Sequence, residues 1–131
     1  MALFRAALGL AVLVPALIWG GCRTPSGHRA GAVHHVVVCW LKKPGDAVDR
    51  QRLVAASRAL AGLPGVTAVR AGRVRASPRG VVDSTYDVAV VISFPDEGAL
   101  QAYLAHPAHR RAAEEVLAPL TSKVVVYDFV E

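Results

Sequence analysis

Aromatic side chains make up only 6% of the 131 residues, methionine occurs once and cysteine twice. Two cysteines cannot build a disulfide framework. Beyond the first twenty-one residues there is no long uncharged apolar run, which excludes a multi-pass membrane protein. Charge is also sparse, at 19% of residues against 53% hydrophobic, so the chain is not of the disordered class. Fifteen Lys and Arg face ten Asp and Glu, a net +5, too small to imply nucleic acid. Arg70, Arg73, Arg75 and Arg79 do cluster, but no aromatic residue interleaves them as single-strand binding favours. They read as a charged strand edge, or as a patch facing anions or a membrane. There is no glycine-rich phosphate loop and no activated serine or cysteine arrangement. What remains is one domain's worth of chain.

The apolar excess is concentrated at the start. Met1 to Arg5 is short and carries one positive charge; Ala6 to Gly21 is uncharged and ends in Gly20-Gly21-Cys22. A basic start, an apolar core and small residues before a cut point describe an export signal over 1–21. Gly20-Gly21-Cys22 resembles the lipobox of bacterial lipoproteins, with cleavage before Cys22 and lipid on its thiol. Trp19 departs from the usual leucine three places earlier. An ordinary cleaved signal and an uncleaved anchor are the other readings. The expected location is the bacterial cell envelope, with the chain lipid-anchored to a membrane. Residues 22–32 lack any hydrophobic period and read as a flexible tether, with His28 solvent-exposed in it. With Cys22 acylated, Cys39 is the only thiol left and reads as a small buried hydrophobe.

The domain then occupies 33–131. Val33 to Leu41 is a β-branched strand stopped by Lys42-Lys43-Pro44-Gly45. Asp46 caps a helix whose stripe is Val48, Leu53, Ala56 and Leu60. Gly62-Leu63-Pro64-Gly65 ends it. Val66 to Ala76 and Tyr86 to Phe94 follow as strands, then a helix opened by Pro95-Asp96 with Leu100, Tyr103 and Leu104 on one side. His106-Pro107 interrupts it. Pro107 starts a second segment through Leu117, Pro119 closes that, and Lys123 to Val130 is the last strand. The order β-α-β-β-α-β is the α+β, ferredoxin-like pattern: four antiparallel strands with both helices on one face.

Both faces of the sheet are apolar. Tyr86, Val88, Val90, Ile92 and Phe94 are bulky enough to pack under helices, whereas Asp87, Ala89, Val91 and Ser93 alternate with them. In the first strand Val36, Val38 and Trp40 oppose His35, Val37, Cys39 and Leu41. An uncovered apolar face marks an interface or a ligand site. Two such sheets facing each other would enclose a barrel, so a homodimer is expected.

Tyr103, His106 and His109 follow one another at steps of three across the helix break. A tyrosine and a histidine at one cavity mouth are a phenolic donor and a base near neutrality. Equally, Tyr103 can be core and His106 a cap of the second segment. His34 and His35 are strand neighbours and face opposite sides, so they cannot share a metal. His106 and His109 have a zinc-compatible spacing but no third ligand, so no metal is expected. Asp87 is a candidate partner for a histidine.

These residues resemble the stress-responsive dimeric α/β-barrel family, Dabb. The resemblance is carried by His35-Val36-Val37-Val38 running to Trp40-Leu41-Lys42, by Leu60-Ala61-Gly62-Leu63-Pro64-Gly65-Val66, and by Tyr86-Asp87. Phe94-Pro95-Asp96, Tyr103-Leu104-Ala105-His106-Pro107-Ala108-His109 and Val126-Tyr127-Asp128 complete it. It implies a ferredoxin-like protomer in a homodimeric barrel and no cofactor. One member of that family closes a linear polyketide by an aldol condensation, and its catalytic tyrosine and histidine fall on Tyr103 and His109, with a further active-site histidine on His35. Asp87 stands where that enzyme has histidine. The expectation is a tethered dimer binding a small, partly apolar molecule, with Tyr103 and His109 as candidate catalytic residues and His35, Asp87 and His106 as candidate ligand contacts. The alternatives are a cofactor-independent cyclase or lyase acting on a carbonyl substrate, and a scaffold whose barrel is filled by side chains.

Overall fold

The computed structural model describes residues 31–131. The export signal, Cys22 and most of the tether lie outside the described residues. Gly31 and Ala32, the last two tether positions, are held to the end of the chain: the Gly31 N–H donates to the Glu131 carbonyl at 2.7 Å, and the Glu131 N–H to the Ala32 carbonyl at 2.9 Å.

Four strands, β1 (Val33–Leu41), β2 (Ala68–Arg73), β3 (Val88–Phe94) and β4 (Thr121–Val130), form one sheet in the order β2-β3-β1-β4. All three pairings are antiparallel. Helix α1 (Ala47–Ala59) connects β1 to β2, and α2 (Glu97–Ala105), α3 (Pro107–Ala112), a π-helical turn (Ala113–Leu117) and α4 (Ala118–Leu120) connect β3 to β4. This is the ferredoxin-like α+β arrangement.

Local chemistry sets the helix ends. Asp46 accepts from the Asp49 N–H and Asp96 from the Ala99 N–H, each at 2.8 Å, satisfying first-turn donors that have no partner within the helix. Pro107 occupies the start of α3, where its missing N–H costs nothing. The helix does not stop at Pro119. It passes through the π turn and a final turn, Ala118–Leu120, in which proline again sits at the first positions. Gly65, at φ +80, lets the turn before β2 lie on α2: a Cβ there would meet the Ala99 Cβ at 3.0 Å.

The core lies between the sheet and the helices. Val33, Cys39 and Leu41 from β1, Val88, Val90, Ile92 and Phe94 from β3, and Leu53, Leu100 and Tyr103 from the helices are all buried. The α1 stripe is shifted from the expected one. Val48 is 67% exposed, and Ser57 is buried beside Leu53, its hydroxyl bonded to the Leu53 carbonyl.

β2 and β3 are shorter than their sequence patterns. β2 ends at Arg73 and β3 begins at Val88, so Tyr86 and Asp87 precede the strand and escape its alternation. Tyr86 meets the edge of Trp40, with ring centroids 6.4 Å apart. The Asp87 carboxylate turns inward and accepts from the Leu41 N–H at 2.8 Å and the Gly45 N–H at 2.6 Å, closing the β1–α1 turn.

Charge-assisted bonds to two backbone donors, one of them buried, are among the stronger local contributions to stability. Asp87→Ala is therefore expected to destabilise the domain by about 3 kcal/mol. Urea unfolding at neutral pH checks this, and a change below about 1 kcal/mol would contradict the capping role.

Candidate functional site

Strand alternation brings His35, Val37 and Cys39 to the helix side of β1, with Val90 and Ile92 from β3 beside them. Across from this row α1 contributes Leu53, Ser57 and Leu60, and the helices after β3 contribute Tyr103, Leu104 and His109. Val124 and Val126 of β4 complete the lining of a cavity of about 280 Å³. That is near the small end of ligand pockets. The cavity lies inside one protomer, between sheet and helices, and not in a space between two sheets.

Three ionisable rings meet there. Tyr103 and His109 have ring centroids 4.5 Å apart, and His35 meets Tyr103 edge-on at 6.2 Å. The break at His106-Pro107 is what allows this. His106 has extended backbone (φ -68, ψ 133), so α3 departs in a new direction and returns His109 toward Tyr103.

The hydrogen bonds define the protons. His109 Nδ1 lies 3.2 Å from the Leu104 carbonyl oxygen. A carbonyl only accepts, so Nδ1 carries the hydrogen and Nε2 keeps its lone pair. His35 Nδ1 lies 2.6 Å from Asp128 Oδ1, so the carboxylate holds the same tautomer there. The neutral imidazole of His109 thus presents Nε2 as an acceptor, while the Asp128 carboxylate orients the His35 ring.

Burial then sets the charge states. Desolvation pushes the Tyr103 phenol up to about 12, and Cys39 up to about 11, so both stay protonated. Desolvation lowers His109 below the usual histidine range; its bond to the Leu104 carbonyl works the other way, and the nearby His35 adds to the lowering. Near neutral pH the pair is an un-ionised phenol beside an unprotonated imidazole, a donor and a base.

The remaining candidate residues fall elsewhere. Asp87 caps the β1–α1 turn about 20 Å along the sheet from His35. His106 caps α3, its Nδ1 accepting from the Ala108 N–H at 3.2 Å. His34 faces the opposite side of the sheet, stacked on Phe129 at 4.7 Å and bonded to Ser93 at 2.9 Å. The histidine partner sought in Asp87 is instead Asp128. The sequence shows it only as the end of the Val126-Tyr127-Asp128 run, and its pairing with His35 is readable once the β1–β4 register is known.

Sheet order defines a ferredoxin-like α+β domain, with the candidate site in the cavity under the helices. The chain belongs to the family described as Stress responsive A/B Barrel Domain (Dabb), whose model matches residues 33–131. It is similar to a Dabb-family protein of ferredoxin-like fold from Mesorhizobium loti, at 24% identity and TM-score 0.65, covering 77% of this chain and 97% of that one. A dimeric ferredoxin-like protein of unknown function from Jannaschia is 28% identical at TM-score 0.63, over 77% of this chain and 100% of that one. A hydroxynitrile lyase from Passiflora edulis shares the fold at 17% identity and TM-score 0.64, over 78% and 94% of the two chains. No curated protein sequence matches the chain.

Because burial lowers the folded-state pKa of His109, the unfolded chain takes up this proton first on acidification. The stability contributed by neutral His109 is complete above the unfolded value of about 6.5 and is lost as pH falls from there through the folded pKa. Histidine-selective NMR titration should place His109 below 6.5, and His109→Gln should flatten the acid side of the stability–pH curve. A His109 titrating at or above 6.5 would contradict this.

Proposed function

We propose that the protein binds a small, mostly apolar molecule bearing one carbonyl or hydroxyl group, in the cavity between sheet and helices. The observation that carries this is the lining itself: Tyr103, His109 and His35 converge on one region of an otherwise almost wholly apolar space. No Lys or Arg lines the cavity, so an anionic ligand would lack a fixed counter-charge. A volume of about 280 Å³ also weighs against the filled-scaffold reading.

The acting unit in this proposal is a homodimer, supported by the apolar open face of the sheet and by the dimeric description of the similar Jannaschia protein. It is exported and held to a membrane by lipid on Cys22, a reading supported by the run ending in Gly20-Gly21-Cys22. Among the described residues no helix is long and apolar enough to cross a membrane. Cys22→Ser is expected to move the chain from the membrane fraction to the soluble one, with loss of labelled-palmitate incorporation. Retention of label in that variant would defeat the lipid assignment.

A second reading, cofactor-independent lyase or cyclase chemistry on a carbonyl compound, is favoured by one further observation: Asp128 orients His35 beside the Tyr103–His109 pair. In that chemistry a histidine Nε2 would remove a proton α to the carbonyl while the Tyr103 hydroxyl donates to the carbonyl oxygen and stabilises the developing charge. The similar hydroxynitrile lyase is a lyase on this fold, which supports the chemical capacity of the scaffold and nothing about the substrate.

Native mass spectrometry of the protein from its producing cells tests the binding proposal: a stoichiometric small added mass, lost in Leu53→Trp, is the expected result. Persistently empty protein, even after exposure to a panel of small aromatic and aliphatic ketones and phenols, would overturn it. Should a carbonyl ligand be turned over, Tyr103→Phe is expected to lower kcat by roughly 100-fold or more with affinity little changed.

A further inference from the structure

The helix layer over the cavity has a seam where α1 meets α3 and the π turn. The side chains along it are small: Ala56 and Ala59 on α1, Ala108 and Ala112 on α3. Between the two helices lies a second space of about 260 Å³, open to the surface. Ala56, Leu60, Ala112 and Val116 line both this space and the inner cavity, so the two chambers meet at one neck. Larger side chains at 56 and 112 would separate them. Among the described residues no hydrogen bond or ion pair crosses from α1 to 107–117. That segment is held at its ends instead, by the His106 cap and by the Thr121 hydroxyl, which donates to the Leu117 carbonyl at 2.7 Å. The neck can therefore widen without breaking a polar contact. At the outer rim Arg111 and Glu115 stand 3.9 Å apart with side chains 71% and 68% exposed, a pair too wet to lock the seam.

We infer that the outer chamber is the second half of the binding site, and that the ligand is an unbranched-chain ketone or alcohol: its oxygen meets Tyr103 and His109, and its alkyl tail passes between Ala56 and Ala112 into the outer chamber. The inference deepens the small-molecule reading above and rests on it. The placing of polar groups sets the orientation. The inner chamber holds the Tyr103 donor and the His109 acceptor, so the oxygen goes inward. The neck offers only alanine, leucine and valine side chains. Such a surface favours an alkyl chain in proportion to the area buried and leaves a polar group without a partner. A flexible chain threads the neck by rotating its own bonds. Its end then lies below the rim, and Arg111 and Glu115 stay in water.

The test is calorimetric binding of straight-chain methyl ketones, from butanone to undecanone, to the whole chain. Wild-type affinity should rise by about fourfold for each added methylene and keep rising to the long members. Ala59 and Ala108 line the outer chamber alone, from opposite walls. Ala59→Trp and Ala108→Trp should each lower affinity for nonanone and undecanone by about tenfold or more, with short members little changed. Ala59 is exposed, so its variant decides alone should the other fail to fold. Intermolecular NOEs should connect the terminal methyl of undecanone to the Ala59 and Ala108 methyl groups in wild type. Long ketones that bind both variants as tightly as wild type, or a tail in contact only with Val124 and Val126, would overturn this inference while the short members uphold the small-molecule reading. Binding of a phenol with no chain ketone or alcohol would do the same. A protein that stays empty across every ketone, alcohol and phenol would overturn both.

Discussion

The position of β1 in the sheet governs everything else in this domain. It lies between β3 and β4 and is hydrogen-bonded on both edges, so its register is set twice over. In a strand the side chains alternate strictly, and a slip of one residue would exchange its two faces. Val33, His35, Val37, Cys39 and Leu41 therefore go to the helices together, and His34, Val36, Val38 and Trp40 to the open side. Adjacent histidines acquire unrelated environments from this one constraint. His35 enters the cavity with a carboxylate behind it, while His34 stacks on an aromatic ring beneath the other face.

The same logic explains which features could be read from the chain. Element order and the antiparallel sheet follow from β-branched runs separated by turn residues and from Asp46 and Asp96 as caps, all of which are local signals. The cavity is not local. The uncovered apolar face suggests a ligand site from sequence alone, but the cavity lies on the other side, where small residues such as Ala56 and Ser57 on α1 leave the sheet unfilled. Asp87 misleads for a related reason. Alternation counted back from Phe94 assigns it a face, yet the strand begins only at Val88, and outside the ladder the carboxylate is free to turn toward the Leu41 and Gly45 N–H groups. The role of Asp128 is not legible locally, because it depends on a partner 93 residues away in sequence.

Tyr103 and His109 show how far a motif carries. Their separation on a straight helix would set the two rings on different faces, since six residues correspond to roughly 120° from alignment. The proline and the extended backbone of His106 redirect α3, and the ring centroids end 4.5 Å apart. His106 is therefore the positioning element: its own imidazole accepts the Ala108 N–H and takes no part in the cavity. Of the three residues at that spacing, the middle one makes the geometry and the outer two occupy the site.

A buried phenol and a buried imidazole in contact have a consequence that a surface pair would not. Desolvation disfavours whichever form is charged, so it raises the tyrosine and lowers the histidine together. The two shifts move the pKa values apart and keep both groups neutral over a wide range around pH 7. A neutral donor and a neutral acceptor can bind a carbonyl or hydroxyl group with little dependence on pH, and the same pair can act on an α-proton only when the transition state develops the charge that the apolar lining otherwise resists. Binding and catalysis thus call for the same side chains and differ in the water left around them, which is why the exposure of two lining residues, Val124 at 37% and Val126 at 45%, bears directly on what this cavity can do.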